Sequence, residues 1–293
     1  MLPPPEAPDI SFSAICGDQF ASGKHRTVHD VIGHPDVVVK VATHSTYANW
    51  HEFFISSALQ CRPGPVADIV GEVKSTSASG HYLIMERLPD ISNTNTVIRY
   101  PSWATDLQRV NFGMTSGGSA RLRDFGHSKI GMNLAQSTFA FENNSPSARA
   151  HIVPDGHDAD YEKLLGSLIR SEQDRTIHEV TGHPDLVVKR CTDSHRANQA
   201  ELFVFHALQQ NDADILDNFG VLACSRSGKY LIMERLSDLP NHWTGSRPQL
   251  PVWLKDKSNT CLGMNVAGAV KIRTYKEIDI VDALTHTPVF TRV

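Results

Sequence analysis

The chain has 293 residues, of which 40% are hydrophobic and 20% charged, with a formal net charge of -4 at pH 7. A small negative charge argues against nucleic acid as a partner, and the sequence has no run of 18 apolar residues that would predict a membrane span. The 5 cysteines are scattered without a C-x-x-C pair, which favours reduced thiols in the cytoplasm over a disulfide framework or a zinc site.

The N-terminal segment begins MLPPPEAPD. Three consecutive prolines cannot join a sheet or continue a helix. The segment also lacks the basic and apolar regions of a secretory signal. We therefore predict that residues 1–14 are a disordered tail.

The next elements alternate strands with one helix. RTVHDV at 26–31 and VVVKVA at 37–42 flank a Gly-His-Pro-Asp turn, which predicts a β-hairpin. YANWHEFFISSALQ at 47–60 has an apolar side and a proline beyond its end, which predicts a helix. VADIVGEVKS at 66–75 and GHYLIMERL at 80–88 predict two further strands.

A polar hairpin is predicted within residues 101–126. Asp106 is followed by Asn111, and after the turn-forming stretch MTSGGSARL comes an Asp-Phe-Gly triplet that begins at Asp124. The Gly-Gly pair favours a hairpin that brings the three side chains to one edge. Carboxylate and amide oxygens suit Mg²⁺, a hard cation.

The chain contains the same pattern twice. RTVHDVIGHPDVVVKV at 26–41 recurs as RTIHEVTGHPDLVVKR at 175–190, and HYLIMERLPDI at 81–91 recurs as KYLIMERLSDL at 229–239. Each copy has the size of one domain. We predict two α+β domains, each with an antiparallel sheet and one helix.

The predicted boundaries follow the repeat. They are a tail at 1–14, a first domain at 15–140, a Pro/Ser/Asp-rich linker at 141–163 and a second domain at 164–293.

The order of strands, helix and polar hairpin resembles the N-terminal lobe and catalytic core of protein kinases. In that resemblance Lys40 stands where the family's strand lysine holds the ATP phosphates, and Glu52 stands where the helix glutamate pairs with it. Met85, Glu86 and Arg87 lie where the hinge presents backbone groups to adenine.

The D-L-x-x-x-N and Asp-Phe-Gly motifs of the family are also matched. The resemblance implies that Asp106 accepts or aims the hydroxyl proton, while Asn111 and Asp124 hold Mg²⁺. It thus implies an ATP- and Mg²⁺-dependent kinase acting on a protein Ser/Thr hydroxyl.

Two features depart from the family. The phosphate-covering loop keeps only Gly23 of three glycines, and Arg26 takes the place of the last, where it would point away from phosphate or bind it as a cation. The chain also has no room for a helical C-terminal lobe. The resemblance is therefore to minimal kinases, such as the compact effectors that some bacterial pathogens inject into host cells.

The second copy lacks part of the motif. It keeps Lys189, Glu201 and Asp256, but Cys261 replaces the asparagine and Thr274 replaces the metal-binding aspartate. A threonine hydroxyl cannot replace a carboxylate on a hard dication without a large loss of binding. The second copy is therefore predicted to be a pseudokinase.

Other interpretations remain open at this point. The polar residues could belong to surface turns, and the whole chain could be a kinase-like scaffold that binds or inhibits a partner protein. A small-molecule phosphotransferase is a third option. Whether the two copies pack on each other is also open.

Overall fold

The computed structural model describes residues 1–93, 95–130, 156–209, 219–240, 250–251, 253–256, 258–285 and 289–292. The chain is an α+β protein with antiparallel sheets, as predicted. It divides into two compact units, one formed by Met1–Ile130 with Ile280–Val293 and the other by Gly131–Asp279. Within the described ranges, no helix is both long enough and apolar enough to cross a membrane.

The first unit is built on an antiparallel sheet of five strands. They are β1 (Cys16–Ser22), β2 (Arg26–Val31), β3 (Val37–Ala42), β4 (Val73–Thr76) and β5 (Tyr82–Glu86). Their order in the sheet is β1-β2-β3-β5-β4. The predicted hairpin and the predicted pair of later strands are confirmed. The edge strand β1 was not expected, because its mostly exposed residues show no apolar alternation.

Residues 1–14 are ordered, which corrects the prediction of a disordered tail. Helix α1 (Asp9–Ser13) buries Phe12 among apolar residues of β2, β3 and β5. The amide of Glu6 donates to the carbonyl oxygen of Thr76 at 2.7 Å. The sheet has an apolar face that would otherwise meet water, and burying it offsets the ordering of this segment. The prolines precede the helix and do not interrupt it.

Strand β3 is buried on both faces, and this places a lysine inside the unit. Because side chains alternate along a strand, Val37 and Val39 point to the face covered by α1. Lys40 points to the opposite face, which is covered by helix α2 (Tyr47–Cys61). The predicted helix at 47–60 is therefore confirmed.

Beyond the sheet, the chain forms β6 (Ile98–Pro101) and then the predicted hairpin of β7 (Phe112–Met114) and β8 (Ala120–Leu122). Gly118 lies in the hairpin turn with a φ of +80°, a left-handed conformation that glycine adopts without strain. Trp103, before the hairpin, is 1% exposed and anchors it in the core.

The second unit repeats this arrangement. Its elements are α3 (Asp158–Glu162), β9 (Leu165–Ser171), β10 (Arg175–Val180), β11 (His183–Cys191), α4 (Arg196–Gln209), β12 (Val221–Cys224), β13 (Tyr230–Glu234), β14 (Leu262–Met264) and β15 (Val270–Ile272). The sheet order, β9-β10-β11-β13-β12, matches the first unit. Tyr161 of α3 takes the core position of Phe12. Helix α3 lies inside the predicted linker at 141–163, so that boundary was wrong, and residues 141–155 lie outside the described residues.

The C-terminal segment belongs to the first unit, which corrects the predicted second domain at 164–293. It contains helix α5 (Val281–Thr285) and strand β16 (Val289–Arg292), and β16 pairs antiparallel with β6. The ring centroids of Tyr100 and Phe290 lie 5.8 Å apart across this pair. Strand β16 gives β6 the hydrogen-bonding partner that a lone strand lacks.

Candidate functional site

A buried ion pair lies at the centre of the first unit. Lys40 Nζ on β3 lies 2.8 Å from Glu52 Oε2 and 3.1 Å from Glu52 Oε1 on α2. Lys40 is 6% exposed and Glu52 is 0% exposed. Lys40 Nζ also donates to the carbonyl oxygen of Arg123 at 2.6 Å. The lysine and glutamate that the sequence predicts to pair do so.

Arg26, the first residue of β2, adds a second cation to this pair. Its guanidinium donates to Glu52 Oε1 at 2.9 Å, to Asp124 Oδ1 at 2.6 Å and to Asn49 Oδ1 at 3.3 Å. The side chain of Arg26 is 8% exposed, whereas that of Asp124 is 49% exposed. Glu52 therefore binds two cations, and Arg26 joins Asp124 to the buried group.

The ionisation of this cluster follows from burial and from its charges. Burial raises the pKa of Glu52, but the charges of Arg26 and Lys40 and their hydrogen bonds lower it to about 2. Burial and the nearby Arg26 charge lower the pKa of Lys40 despite its carboxylate neighbours. Burial also lowers the pKa of Arg26, but the carboxylates of Glu52 and Asp124 raise this pKa by more than burial lowers it, so the net shift is upward. Glu52 and Arg26 are therefore charged at neutral pH.

Hydrogen bonds that involve backbone atoms connect the three predicted polar residues of the hairpin. Asn111, in a 3₁₀ turn before β7, donates from Nδ2 to the carbonyl oxygen of Asp106 at 3.1 Å. The carbonyl oxygen of Asn111 accepts the amide of Asp124 at 3.3 Å. The side chain of Asp106 is exposed, and its Oδ1 accepts the amide of Gln108 at 3.4 Å. Asn111 thus links the segments that carry the two aspartates.

The residues after Asp124 lock the hairpin onto helix α2. The amide of Phe125 donates to Glu52 Oε1 at 3.0 Å, and Phe125 is 2% exposed. A Cβ on Gly126 would lie 2.8 Å from Ala48 Cβ and 3.2 Å from Arg26 Nη2. The close approach of α2 therefore requires glycine at this position.

The segment predicted to contact adenine is held by the chain itself. Met85 is 1% exposed. The amide of Glu86 donates to the carbonyl oxygen of Glu72 at 2.9 Å, and the amide of Arg87 donates to that of Asp36 at 2.8 Å. In this conformation both amides are hydrogen-bonded within the chain, and the assignment of Met85, Glu86 and Arg87 to adenine stays a prediction.

Gly23 forms a tight turn between β1 and β2, where its amide donates to the carbonyl oxygen of Arg26 at 2.8 Å. A Cβ on Gly23 would meet only this oxygen, at 3.6 Å, which is ordinary van der Waals contact. Packing therefore does not require glycine here.

The second unit retains the buried cluster without the aspartate. Lys189 Nζ lies 2.8 Å from Glu201 Oε2, and Arg175 donates to Glu201 Oε1 at 2.9 Å and to Asn198 Oδ1 at 3.3 Å. Thr274 Oγ1 accepts a hydrogen bond from Arg175 at 2.8 Å. From the sequence, Arg26 is expected to point away from phosphate or to bind it as a cation, and its carboxylate partners are not predicted. The signal for them was the recurrence of this arginine and asparagine in both copies.

In the second unit a second carboxylate binds the buried arginine, Arg175. Glu172 stands where the first copy has Gly23, and its Oε2 accepts Arg175 Nε at 3.1 Å. Lys276 stands where the first copy has the glycine of its Asp-Phe-Gly triplet, and its Nζ lies 2.7 Å from Asp174 Oδ1 and 3.5 Å from Glu172 Oε2. Arg175 is 0% exposed as a result.

The first unit offers the ligand atoms that Mg²⁺ prefers. Asp124 and Asn111 supply a carboxylate and an amide oxygen, and Asp124 Oδ1 already faces a cation at 2.6 Å. Across the described part of the chain, no three or more His, Cys, Asp and Glu side chains form a group that could hold a metal ion. A metal ion held by Asp124 and Asn111 would therefore have to take its other ligands from phosphate and water.

No protein-family model matches the chain, and a search of curated proteins finds no match either.

Proposed function

We propose that the first unit is a Mg²⁺- and ATP-dependent phosphotransferase of the protein-kinase kind, which acts on a protein Ser or Thr hydroxyl. This proposal rests on the hydrogen bonds that strand β3 and the segment after the β7–β8 hairpin make to the carboxylate of Glu52 on helix α2. Glu52 binds Lys40 Nζ at 2.8 Å and the amide of Phe125, next to Asp124, at 3.0 Å. This arrangement orders the lysine and the candidate metal ligand relative to each other.

Each side chain has a role that its position supports. Bound Mg²⁺·ATP would supply the transferable phosphoryl group and neutralise charge on its oxygens. Glu52 fixes the amine of Lys40, which adds positive charge for the phosphates. Asp124 and Asn111 would hold the metal ion. The exposed carboxylate of Asp106 can receive an acceptor hydroxyl and take its proton.

The second unit is proposed to be catalytically inert. Thr274 offers a neutral hydroxyl where Asp124 stands in the first copy, and that hydroxyl is already bound to Arg175 and Glu201 at 2.8 Å and 3.1 Å. Lys276 also pairs with Asp174 and Glu172, and these pairs join the loop between β9 and β10 to the segment after the β14–β15 hairpin.

A scaffold that binds or inhibits a partner protein without catalysis is the second candidate. Two observations favour it. Arg26 already neutralises Asp124 at 2.6 Å, and the amides of Glu86 and Arg87 are bonded within the chain.

The test compares Asp106→Asn with Asp256→Asn. The two aspartates hold matched local bonds, since Asp106 Oδ1 accepts the amide of Gln108 at 3.4 Å and Asp256 Oδ1 accepts that of Ser258 at 2.9 Å. We expect wild-type protein to transfer γ-phosphate from ATP to itself or to a generic protein substrate. Asp106→Asn should lower the rate about 100-fold or more, and Asp256→Asn should leave it within twofold.

Calorimetric titration of ATP separates the two candidates. Binding at one site per chain that requires Mg²⁺ supports the phosphotransferase. Equal labelling by Asp106→Asn and wild type would contradict the catalytic role of Asp106. Absence of both labelling and nucleotide binding would favour the scaffold.

A further inference from the structure

We infer that Arg26 is a positioning residue: it holds Asp124 in the ligand-free protein and must move away from Asp124 before a metal ion can bind. Arg26 is able to move because residue 23 is a glycine. This inference rests on the proposed function. It names the residue that controls the metal site and explains why the two units differ.

The charges of the first unit show why Arg26 and a metal ion exclude each other. Arg26 and Lys40 are balanced by Glu52 and Asp124, so the cluster is neutral without a metal. The guanidinium lies 2.6 Å from Asp124 Oδ1, the atom that a dication would bind. A dication at this oxygen would repel the guanidinium at close range, because both carry positive charge and the guanidinium itself is buried.

The second unit shows the same arginine in a locked state. Arg175 has lost its aspartate partner but has gained Glu172, which binds its Nε at 3.1 Å from the side of the loop. The additional carboxylate beside the arginine thus lies after the β7–β8 hairpin in the first unit and on the loop between β9 and β10 in the second. Lys276 then ties this loop to the hairpin through Asp174 at 2.7 Å.

The first unit has no side chain at the position of Glu172, because Gly23 stands there. Among the described residues, the carboxylates that bind Arg26 lie on helix α2 and after the hairpin, and the Arg26–Asp124 pair reaches solvent through the half-exposed aspartate. The phosphates of a nucleotide are a better partner than one carboxylate, since a guanidinium binds phosphate through two parallel hydrogen bonds. A metal–nucleotide complex therefore offers a new partner both to Arg26 and to Asp124.

The experiment installs the lock of the second unit in the first. Gly23→Glu places a carboxylate where Glu172 stands, and Gly23→Gln is the control of equal size without the charge. The position tolerates a side chain, since a Cβ meets only one backbone oxygen, at 3.6 Å. The probes are Mn²⁺ with a non-hydrolysable ATP analogue, followed by electron paramagnetic resonance, and thermal unfolding of each variant.

We expect Gly23→Glu to weaken Mn²⁺·nucleotide binding at least tenfold relative to Gly23→Gln, while its unfolding midpoint is at least as high as that of the control. The second readout separates locking from damage, since a misfolded site would lose binding and stability together. If wild type binds and the two variants bind equally, the positioning role of Arg26 is refuted and the phosphotransferase proposal stands. If wild type does not bind Mn²⁺·nucleotide, both fail.

Discussion

Replacing Glu52 by glutamine should destabilise the first unit more than any other single isosteric change. The carboxylate of Glu52 accepts hydrogen bonds from Lys40, Arg26 and the amide of Phe125, at 2.8–3.1 Å. Glutamine keeps the shape but leaves two buried cations with only Asp124 to balance them. Removing one partner of a buried ion pair costs about 3–5 kcal/mol.

The pKa of Glu52 gives a second value for the stability that its carboxylate contributes. It falls from 4.5 to about 2 on folding, which corresponds to about 3 kcal/mol of stability at neutral pH. Because the folded pKa is the lower one, this contribution is fully present above pH 4.5 and is lost as the pH falls towards 2. Glu52→Gln should therefore lower stability at pH 7 and also remove this part of the acid sensitivity.

The assay is urea unfolding followed by hydrogen exchange of peptides from each unit. With a slope of about 2 kcal/mol/M, the midpoint for peptides containing β3 should fall by roughly 1.5–2.5 M. Peptides containing β11 should not shift, and Glu201→Gln should reverse the pattern. A shift below about 0.5 M, or an equal shift in both units, would refute the view that Glu52 is the shared counter-ion of two buried cations.

Three further predictions concern packing. Phe12→Ala should destabilise the first unit by about 3–5 kcal/mol, measured by thermal unfolding, whereas a disordered tail would give no change. Gly126→Ala should cost about 1–3 kcal/mol, because the new methyl group would lie 2.8 Å from Ala48 Cβ, and the same melt would contradict this contact if the midpoint did not move. Deleting residues 289–293 should speed hydrogen exchange over 98–101, and unchanged protection there would argue against the β6–β16 pair.

Much of the fold follows from local patterns in the sequence. The hairpin of β2 and β3 was predicted from its turn and the helix at 47–60 from its apolar side, and both are confirmed. The Lys40–Glu52 pair is implied by the resemblance to protein kinases, and the same spacing of lysine and glutamate recurs in the second copy. These features depend on neighbours in the sequence.

The features that were missed depend on distant segments. Phe12 covers one face of a sheet that forms later in the chain, and β16 pairs with a strand almost 200 residues before it. The Arg26–Asp124 bond joins a strand to a hairpin 98 residues away. Local composition does not report such pairings, and the aspartate that binds Arg26 has no counterpart in the second copy.

The position of β16 has a consequence for synthesis on the ribosome. About 160 residues separate Ile130 from Val289, which is roughly 8–30 s of translation at about 5–20 residues per second. Throughout that interval β6 has no partner strand, and its unpaired backbone edge is available to chaperones or to other nascent chains. The second unit is continuous in sequence and has no such delay. The copy that is translated first is therefore the one that matures last.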